Sequence, residues 1–399
     1  MRTATPRMQF ASAISDRSHG DEAIKQVTDE LAAKLTEPVD LAVVFATPHH
    51  SQCLSSIREA LWEALRPGVT MAATCQGVIG TGREVEEGSG LSVLVATLPG
   101  AAINPFRFEH NDWSQMLQSP DALRQRIDPA TNDPGAIVIV GDPFSTPQQE
   151  LMDAFNTTFS GVPIIGGMAS GAQQPGANRI LINDQIHQDG AVGFTVTGDV
   201  KVSTTVSQGC RPIGKPFVIT KADGNVVQEL GGRNPLQAAQ DMIEDLEEHD
   251  RHLVTHNPLF VGRVINEYKD RFGRGDFLIR NIVGADQDSG NFAVGDPDLR
   301  VGQTIQFHVR DGQTATEDFG LLLEAVRLHG PAAGTLLASC NGRGTHLFDR
   351  PNADAEMIQQ SLGPIPLAGF FAMGEIGPVG GQTFLHGHTA SLLVFHEEA

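Results

Sequence analysis

The sequence predicts an α/β protein built from repeated β-α-β-β units, with parallel and mixed sheets in two domains. Short apolar segments of strand length alternate with amphipathic helical segments. The same order of elements occurs three times, and the segment between the second and third copies carries the turn signals of β-hairpins. A strand, a helix and a strand of this length form a parallel pair with a right-handed crossover. We therefore expect a parallel pair within each copy and a second domain that begins with β-hairpins.

The first copy starts with an apolar segment at 41–45, which suits a buried strand. A helix follows, because apolar residues recur at helical spacing between 54 and 65, and Pro67 ends it. The other elements of this copy are a second strand, a glycine-rich loop and a third strand, at 69–74, 76–82 and 91–96.

The second and third copies repeat this order. In the second copy, Pro147 at the first helical position is a good helix start. Around that helix we expect a strand, a second strand, a glycine-rich loop and a hairpin of two strands, at 136–140, 162–165, 166–171, 179–183 and 191–196. In the third copy we expect a strand, a loop, a helix, a strand, a glycine-rich loop and a last strand, at 335–339, 340–344, 353–362, 365–369, 370–381 and 389–395.

The chain changes character between the second and third copies. Asp223 and Gly224 form a strong hairpin signal between strands at 215–220 and 225–230. A helix, a strand-rich segment and a second helix follow, at 235–246, 276–310 and 315–328. We place the domain boundary near Gly209, which gives domains of residues 30–208 and 209–395.

Composition and charge exclude several classes of partner. With 28 Lys and Arg against 48 Asp and Glu, the net charge is −20, which argues against nucleic acids and anionic membranes as partners. No apolar segment reaches the roughly 18–20 residues of a membrane span, and residues 1–18 contain no signal-peptide core. The four cysteines are widely separated, so we expect free thiols in a reducing cytoplasm.

The glycine-rich loops all follow predicted parallel strands. In open α/β sheets, ligands bind beyond the carboxyl ends of such strands. Glycine lets the backbone approach a ligand closely, and consecutive N–H groups can bind an anion. Tight turns alone would explain any single loop, but three loops at equivalent positions favour one shared pocket.

Two charged residues and a thiol lie in the loops of the third copy. Cys340 follows a strand with Arg343 nearby, so it is either an activated thiolate or a structural cysteine. Arg343 can bind a carboxylate through two hydrogen bonds. Glu375 is the single charged residue between 367 and 383, and its partner is a ligand amine, Arg343 or another group of the chain.

His386 and His388 are two residues apart, and on a strand both would face the same side. Together with Glu375 they would make a minimal set of ligands for a transition metal. A polar turn that holds the last strand in place is the preferred explanation, and we expect no metal at this place.

Several segments match the signatures of a known family. They read Pro-Ile-Ile-Gly-Gly-Met-Ala-Ser at 163–170, Phe-Val-Ile-Thr-Lys-Ala-Asp-Gly-Asn at 217–225, Cys-Asn-Gly-Arg-Gly at 340–344, Gly-Phe-Phe-Ala-Met-Gly-Glu-Ile-Gly-Pro at 369–378 and Leu-His-Gly-His-Thr at 385–389. Over about residues 30–395 the chain resembles the N-terminal and C-terminal domains of the FIST family. The resemblance implies a sensory module that binds small ligands, with amino acids as the proposed class. Members are often fused to output domains, for which we expect no room here, so a signal would pass to a partner protein.

Three functions are compatible with these residues. The first is a stand-alone binder of an amino acid or similar metabolite; the second is an enzyme with Cys340 as nucleophile; the third, which the resemblance raises, is a haem-based gas sensor. Whether turnover occurs stays open, with binding alone the favoured interpretation, and we predict no cofactor. The predicted ligand-binding residues are Cys340, Asn341, Arg343, Gly344, Gly374, Glu375, Gly166, Gly167, Ser170, His386 and His388.

Overall fold

The computed structural model describes residues 7–35, 38–128 and 134–397. Residues 1–6, which belong to the segment where we expect no signal peptide, lie outside these ranges. By spatial contact the chain forms two compact units. Unit 1 contains residues 1–206, 320–385 and 389–399, and unit 2 contains residues 207–319 with 386–388. No helix in the described ranges is long and apolar enough to cross a bilayer.

The first copy contains more strands than its apolar pattern predicts. The predicted glycine-rich loop at 76–82 carries a short hairpin, and a further strand and helix precede the copy. Its elements are β1 (Gln9–Ser15), α1 (Gly20–Lys34), β2 (Leu41–Ala46), α2 (Leu54–Leu65), β3 (Val69–Thr74), β4 (Val78–Gly80), β5 (Arg83–Val85) and β6 (Leu91–Thr97).

The second copy has the same order, with its own leading strand and with helices before the first parallel strand. Its elements are β7 (Ala101–Phe108), α3 (Trp113–Gln118), α4 (Pro120–Ile127), β8 (Ala136–Gly141), α5 (Gln148–Thr158), β9 (Ile164–Met168), β10 (Ile180–Ile182), β11 (Gln185–His187) and β12 (Ala191–Gly198).

A strand-rich insertion follows the leading strand of the third copy, β13 (Lys201–Gln208). It contains β14 (Cys210–Asp223), β15 (Val226–Leu230), α6 (Pro235–Glu244), α7 (Glu248–His256), β16 (Leu259–Val264), β17 (Phe277–Asp286), β18 (Asn291–Val294) and β19 (Thr304–Arg310). These strands close into an antiparallel barrel in the order β14-β15-β18-β17-β16-β19. The hairpin predicted at Asp223 and Gly224 is confirmed as β14 and β15.

The third copy then continues after the barrel. Its elements are α8 (Gly312–Arg327), β20 (Ala332–Cys340), α9 (Ala353–Leu362), β21 (Leu367–Ala372), β22 (Glu375–Val379), β23 (Gln382–His386) and β24 (Thr389–His396). The barrel is therefore an insertion into the third copy, between its leading strand and its first helix.

The predicted parallel pairs are confirmed in all three copies. β2 pairs with β3, β8 with β9 and β20 with β21, each in parallel. The last strand of each copy, β6, β12 or β24, lies antiparallel on the other side of the first parallel strand. A strand–helix–strand connection of this length leaves the two strands side by side, as the spacing indicated.

Each sheet is completed by a hairpin from a different copy. The hairpin β4-β5 of the first copy pairs with β21, β10-β11 of the second pairs with β3, and β22-β23 of the third pairs with β9. The described residues of unit 1 thus form three six-stranded sheets with the same internal order. The first copy thus supplies a hairpin to the sheet of the third, the third to the sheet of the second, and the second to the sheet of the first, so the three exchanges form a closed ring.

This exchange corrects three expectations. The hairpin predicted from 179–183 and 191–196 is wrong, because β10 and β12 lie in different sheets. Gly166 and Gly167 lie inside β9 and not in a loop. Phe370 and Phe371 lie inside β21. The three errors have the same cause, because the sequence of an apolar segment does not show which copy supplies the neighbouring strand.

The centre of unit 1 is one apolar core made by the inner faces of the three sheets. Val43, Val138 and Leu336 come from the first parallel strands of the three copies and lie in the same cluster. The helices of the first and second copies cover the outer faces of their own sheets. This arrangement explains why almost every residue of the parallel strands is buried, without polar alternation.

Candidate functional site

The ends of two parallel strands bring the third-copy site residues together. Cys340 is the last residue of β20 and stands opposite Ala372 at the end of β21. The backbone N–H of Asn341 donates to the carbonyl of Ala372 at 2.9 Å, which holds the two loops side by side. Glu375 begins the next strand, β22, and its carboxyl group meets the Cys340 thiol. Cys340 and Glu375 thus lie at neighbouring strand ends, and their common role in binding a ligand stays a prediction.

Glu375 is fully buried, and its chemistry is dominated by that burial. Its Oε2 atom accepts hydrogen bonds from the backbone N–H and the hydroxyl of Thr389, at 3.1 and 2.8 Å. Desolvation nevertheless raises the pKa of Glu375 to about 8. The side chain is therefore mostly a neutral carboxylic acid at pH 7.

The Cys340 sulfur has polar neighbours on several sides. The backbone N–H of Gly342 points at Sγ over 3.4 Å, and Oδ1 of Asn341 lies 3.8 Å away. The Arg343 guanidinium interacts electrostatically with the same sulfur. Cys340 itself is 6 % exposed, while Asn341 and Gly342 are partly exposed. The thiol thus lies just below a polar surface.

Arg343 meets a carboxylate, and that carboxylate belongs to the same chain. Its Nε and Nη2 atoms donate to the two oxygens of Asp354, at 2.9 and 2.6 Å, in a bidentate pair with both side chains fully buried. The Ser339 hydroxyl also donates to Asp354, at 2.7 Å. Burial disfavours the charge on Arg343, but Asp354 outweighs burial and keeps the pKa of the guanidinium above its usual value. Direct contact of Arg343 with a ligand stays a prediction.

Sequence reasoning missed Glu84, which the exchanged hairpin β4-β5 brings to this place. Its Oε1 atom accepts a hydrogen bond from the backbone N–H of Ala355 at 2.9 Å, at the start of α9. Burial first, and then the nearby Asp354, raise the pKa of Glu84 to about 8. Nothing in the sequence indicated this neighbour, because Glu84 belongs to the first copy. Asp354 was missed as well, and an acidic residue in the first turn of a predicted helix was its only signal.

The predicted glycines have packing roles in the structure. A Cβ atom at Gly166 would lie 1.7 Å from the carbonyl oxygen of Ile139, and its φ of 153° is one that only glycine adopts readily. Gly344 has a φ of 57°, and a Cβ there would collide with the Glu86 carboxylate. Gly167 pairs with Glu375 between β9 and β22, and the carbonyl of Gly374 accepts from the N–H of Met168. A Cβ at Gly167 would lie 2.7 Å from the carbonyl oxygen of Gly374, so this glycine allows β9 to approach the third copy closely.

Ser170 joins loops from all three copies. Its hydroxyl donates to the carbonyl of Phe371 and accepts from the backbone N–H of Gln76 at 2.9 Å. The Gln76 side chain in turn accepts from Asn341 at 3.4 Å. Hydrogen bonds thus link the strand ends of the three copies to each other, and the shared ligand pocket stays a prediction.

His386 and His388 belong to unit 2. The His388 ring hydrogen-bonds with Oδ1 of Asn281 at 3.0 Å and lies edge-on to Phe260 at 4.4 Å. His386 is buried. In the described part of the chain, no three His, Cys, Asp or Glu side chains are grouped so that they could hold a metal ion. A ligand role for the two histidines and the absence of metal both stay predictions.

Comparison with known proteins places the chain in a family. The FIST N domain model matches residues 40–233, and the FIST C domain model matches residues 235–378. An uncharacterized protein of Mycobacterium bovis is 37 % identical over 379 residues, which cover 94 % of this chain and 95 % of the relative. An uncharacterized protein of Mycobacterium tuberculosis strain H37Rv is 36 % identical over 387 residues, which cover 96 % and 98 %.

Proposed function

The chain belongs to the FIST family, and on this premise we propose that it is a sensory protein that binds a small amino-acid-like ligand. FIST domains are associated with signal transduction and sensing. We propose that the signal passes to a partner protein and that the protein works in the cytoplasm, where its free cysteines persist as thiols.

The observation that carries the proposal is the meeting of Cys340, Arg343 and Glu375 at the ends of two parallel strands. Ligands of α/β proteins bind at such ends. A fully buried carboxyl group with a strongly raised pKa is typical of functional sites, because it is poised to change charge. Hydrogen bonds through Ser170, Gln76 and Asn341 link the strand ends of the three copies near this group.

Each end of an amino acid has a chemical partner at this place. Glu375 is mostly neutral at pH 7, and the ammonium group of the ligand would favour its ionised form, with which it makes a charge-assisted hydrogen bond. The partly exposed side-chain amide of Asn341 suits its carboxylate. Arg343, which is already paired with Asp354, holds the loop that carries this amide. We therefore propose Arg343 as a positioning residue.

Calorimetric titration with the twenty amino acids tests the proposal. We expect at least one to bind, and Glu375→Gln to weaken it about 10- to 150-fold, the value of a charge-assisted hydrogen bond of roughly 1.5–3 kcal/mol. Glu87→Gln is the matched control, because it removes an exposed carboxylate outside the site. The proposal is wrong if no amino acid binds, or if both variants bind with the affinity of the parent.

A further inference from the structure

The contact between the Cys340 thiol and the Glu375 carboxyl group has a chemical consequence beyond ligand recognition. The two groups share a buried place from which bulk water is excluded. The Oε1 atom of Glu375 accepts no hydrogen bond from a nitrogen or oxygen of the described residues. A thiol beside a carboxyl group has an acid–base partner for proton transfer, which is the usual means of activating a nucleophile.

Two further groups favour negative charge at this place. The N–H of Gly342 points at Sγ, and the positive charge of Arg343 acts on the same atom. Both lower the energy of a thiolate. An oxygen atom attached to a carbon bound at Sγ would come within the influence of the same donors, as in an oxyanion hole. Nucleophile, proton carrier and oxyanion donors are thus present together.

We propose that Cys340 is the nucleophile of a reversible covalent binding site for small aldehydes. Sulfur bonds to the carbonyl carbon while the carbon–oxygen π bond opens. Glu375 gives its proton to the carbonyl oxygen and takes the thiol proton in exchange. The product is a hemithioacetal, in which no group has left and nothing is oxidised or reduced.

The geometry favours an aldehyde for two reasons. When the thiol adds to a carbonyl group, the carbonyl oxygen that must be protonated is attached to the carbon that sulfur attacks. The single carboxyl group of Glu375 can therefore serve both as the acceptor of the thiol proton and as the donor to that oxygen. The thiol lies just below the surface, with 6 % of the residue exposed, so a small carbonyl carbon with one hydrogen reaches it more easily than a ketone. This inference rests on the proposed function only in that both use the same strand ends.

The adduct can be observed with acetaldehyde labelled with ¹³C at the carbonyl carbon. In the full-length protein, we expect an NMR signal of a hemithioacetal carbon that disappears on dialysis. Cys340→Ser should abolish this signal. Cys53→Ser is the matched control, because Cys53 is the more exposed thiol and its loss should leave the signal unchanged. An equal signal in Cys340→Ser, or no signal in the parent, overturns the inference.

The role of Glu375 is tested by rates. Glu375→Gln keeps the shape of the neutral acid but cannot exchange a proton, so we expect adduct exchange to slow roughly 100-fold, the low end for a positioned acid–base group. Glu87→Gln should exchange at the parental rate, and equal rates in both variants would show that Glu375 takes no part. Amino-acid binding without an adduct would refute this inference alone, whereas an adduct without amino-acid binding would refute the proposed function alone.

Discussion

At the scale of single residues, burial decides the chemistry of the site. Arg343, Asp354, Glu84 and Glu375 are all nearly inaccessible to water, although each is of a type that is usually exposed. The charges of Arg343 and Asp354 are stabilised by their bidentate pair, whereas burial raises the pKa of Glu84 and of Glu375 and favours their neutral forms. The buried ion pair and the neutral acids lead to different predictions for the stability of the protein.

Loss of Arg343 should destabilise the protein strongly. Arg343→Ala leaves the Asp354 carboxylate buried and unpaired, so we expect the free energy of unfolding to fall by about 3–5 kcal/mol. Urea unfolding at pH 7 measures this. Arg350→Ala removes an exposed partner of Glu356 from the same loop and should cost less than about 1 kcal/mol. Equal small effects of both substitutions would contradict the structural role of the buried pair.

Stability should fall as the pH rises through the neutral range. The folded-state pKa of Glu375, about 8, lies above its ordinary value of 4.5, so the folded protein holds a proton that the unfolded chain has released. This stabilisation is complete below about pH 4.5 and is lost by about pH 8. Glu375→Gln cannot ionise, so its free energy of unfolding should decline less steeply, by about 1.4 kcal/mol per pH unit. Urea midpoints between pH 5 and pH 8 decide this, and parallel slopes would refute it.

At the scale of elements, the exchanged hairpins require close contact between strands of different copies. β9 pairs with β8 of its own copy and with β22 of the third copy, so Gly166 lies between two neighbours. The absence of a side chain there is a packing requirement. At Gly320 in α8, by contrast, a Cβ would have no atom within 4 Å.

Two glycine substitutions separate these cases. Gly166→Ala forces a Cβ into the carbonyl of Ile139 at an unfavourable φ, and should lower the free energy of unfolding by at least about 2 kcal/mol. Gly320→Ala lies within α8 with nothing within 4 Å of the new Cβ, and should raise stability by up to about 1 kcal/mol. Thermal unfolding of both variants tests the pair. A harmless Gly166→Ala would mean that β9 has room to relax.

At the scale of the whole molecule, the ring of exchanged hairpins couples the three copies. No copy in the described part of unit 1 has a sheet made only of its own strands. The inner faces of all three sheets also share one apolar core. Unit 1 should therefore open as one cooperative body, although its sequence reads as three repeats.

Hydrogen exchange tests this coupling. Val43→Ala removes buried methyl groups from β2, and should reduce protection in β8 and β20 by the same free energy as in β2. Val218→Ala, at an exposed position of the barrel, is the control and should leave these strands unchanged. Loss of protection confined to the first copy would show that the copies fold independently.

Local chemistry in the sequence determined the parallel pairs and the Asp223-Gly224 hairpin. Because strand–helix–strand spacing fixes which strand ends share an edge, it also indicated that the loops after β20 and β21 lie at the same edge of one sheet. The tertiary structure decided which copy completes each sheet, and thereby brought Glu84 to the third copy and separated β10 from β12. It also decided that Arg343 pairs with Asp354. These outcomes depend on contacts between residues far apart in sequence. The spacing of apolar residues indicates which face of a helix or strand is buried, but it does not indicate which other element covers that face.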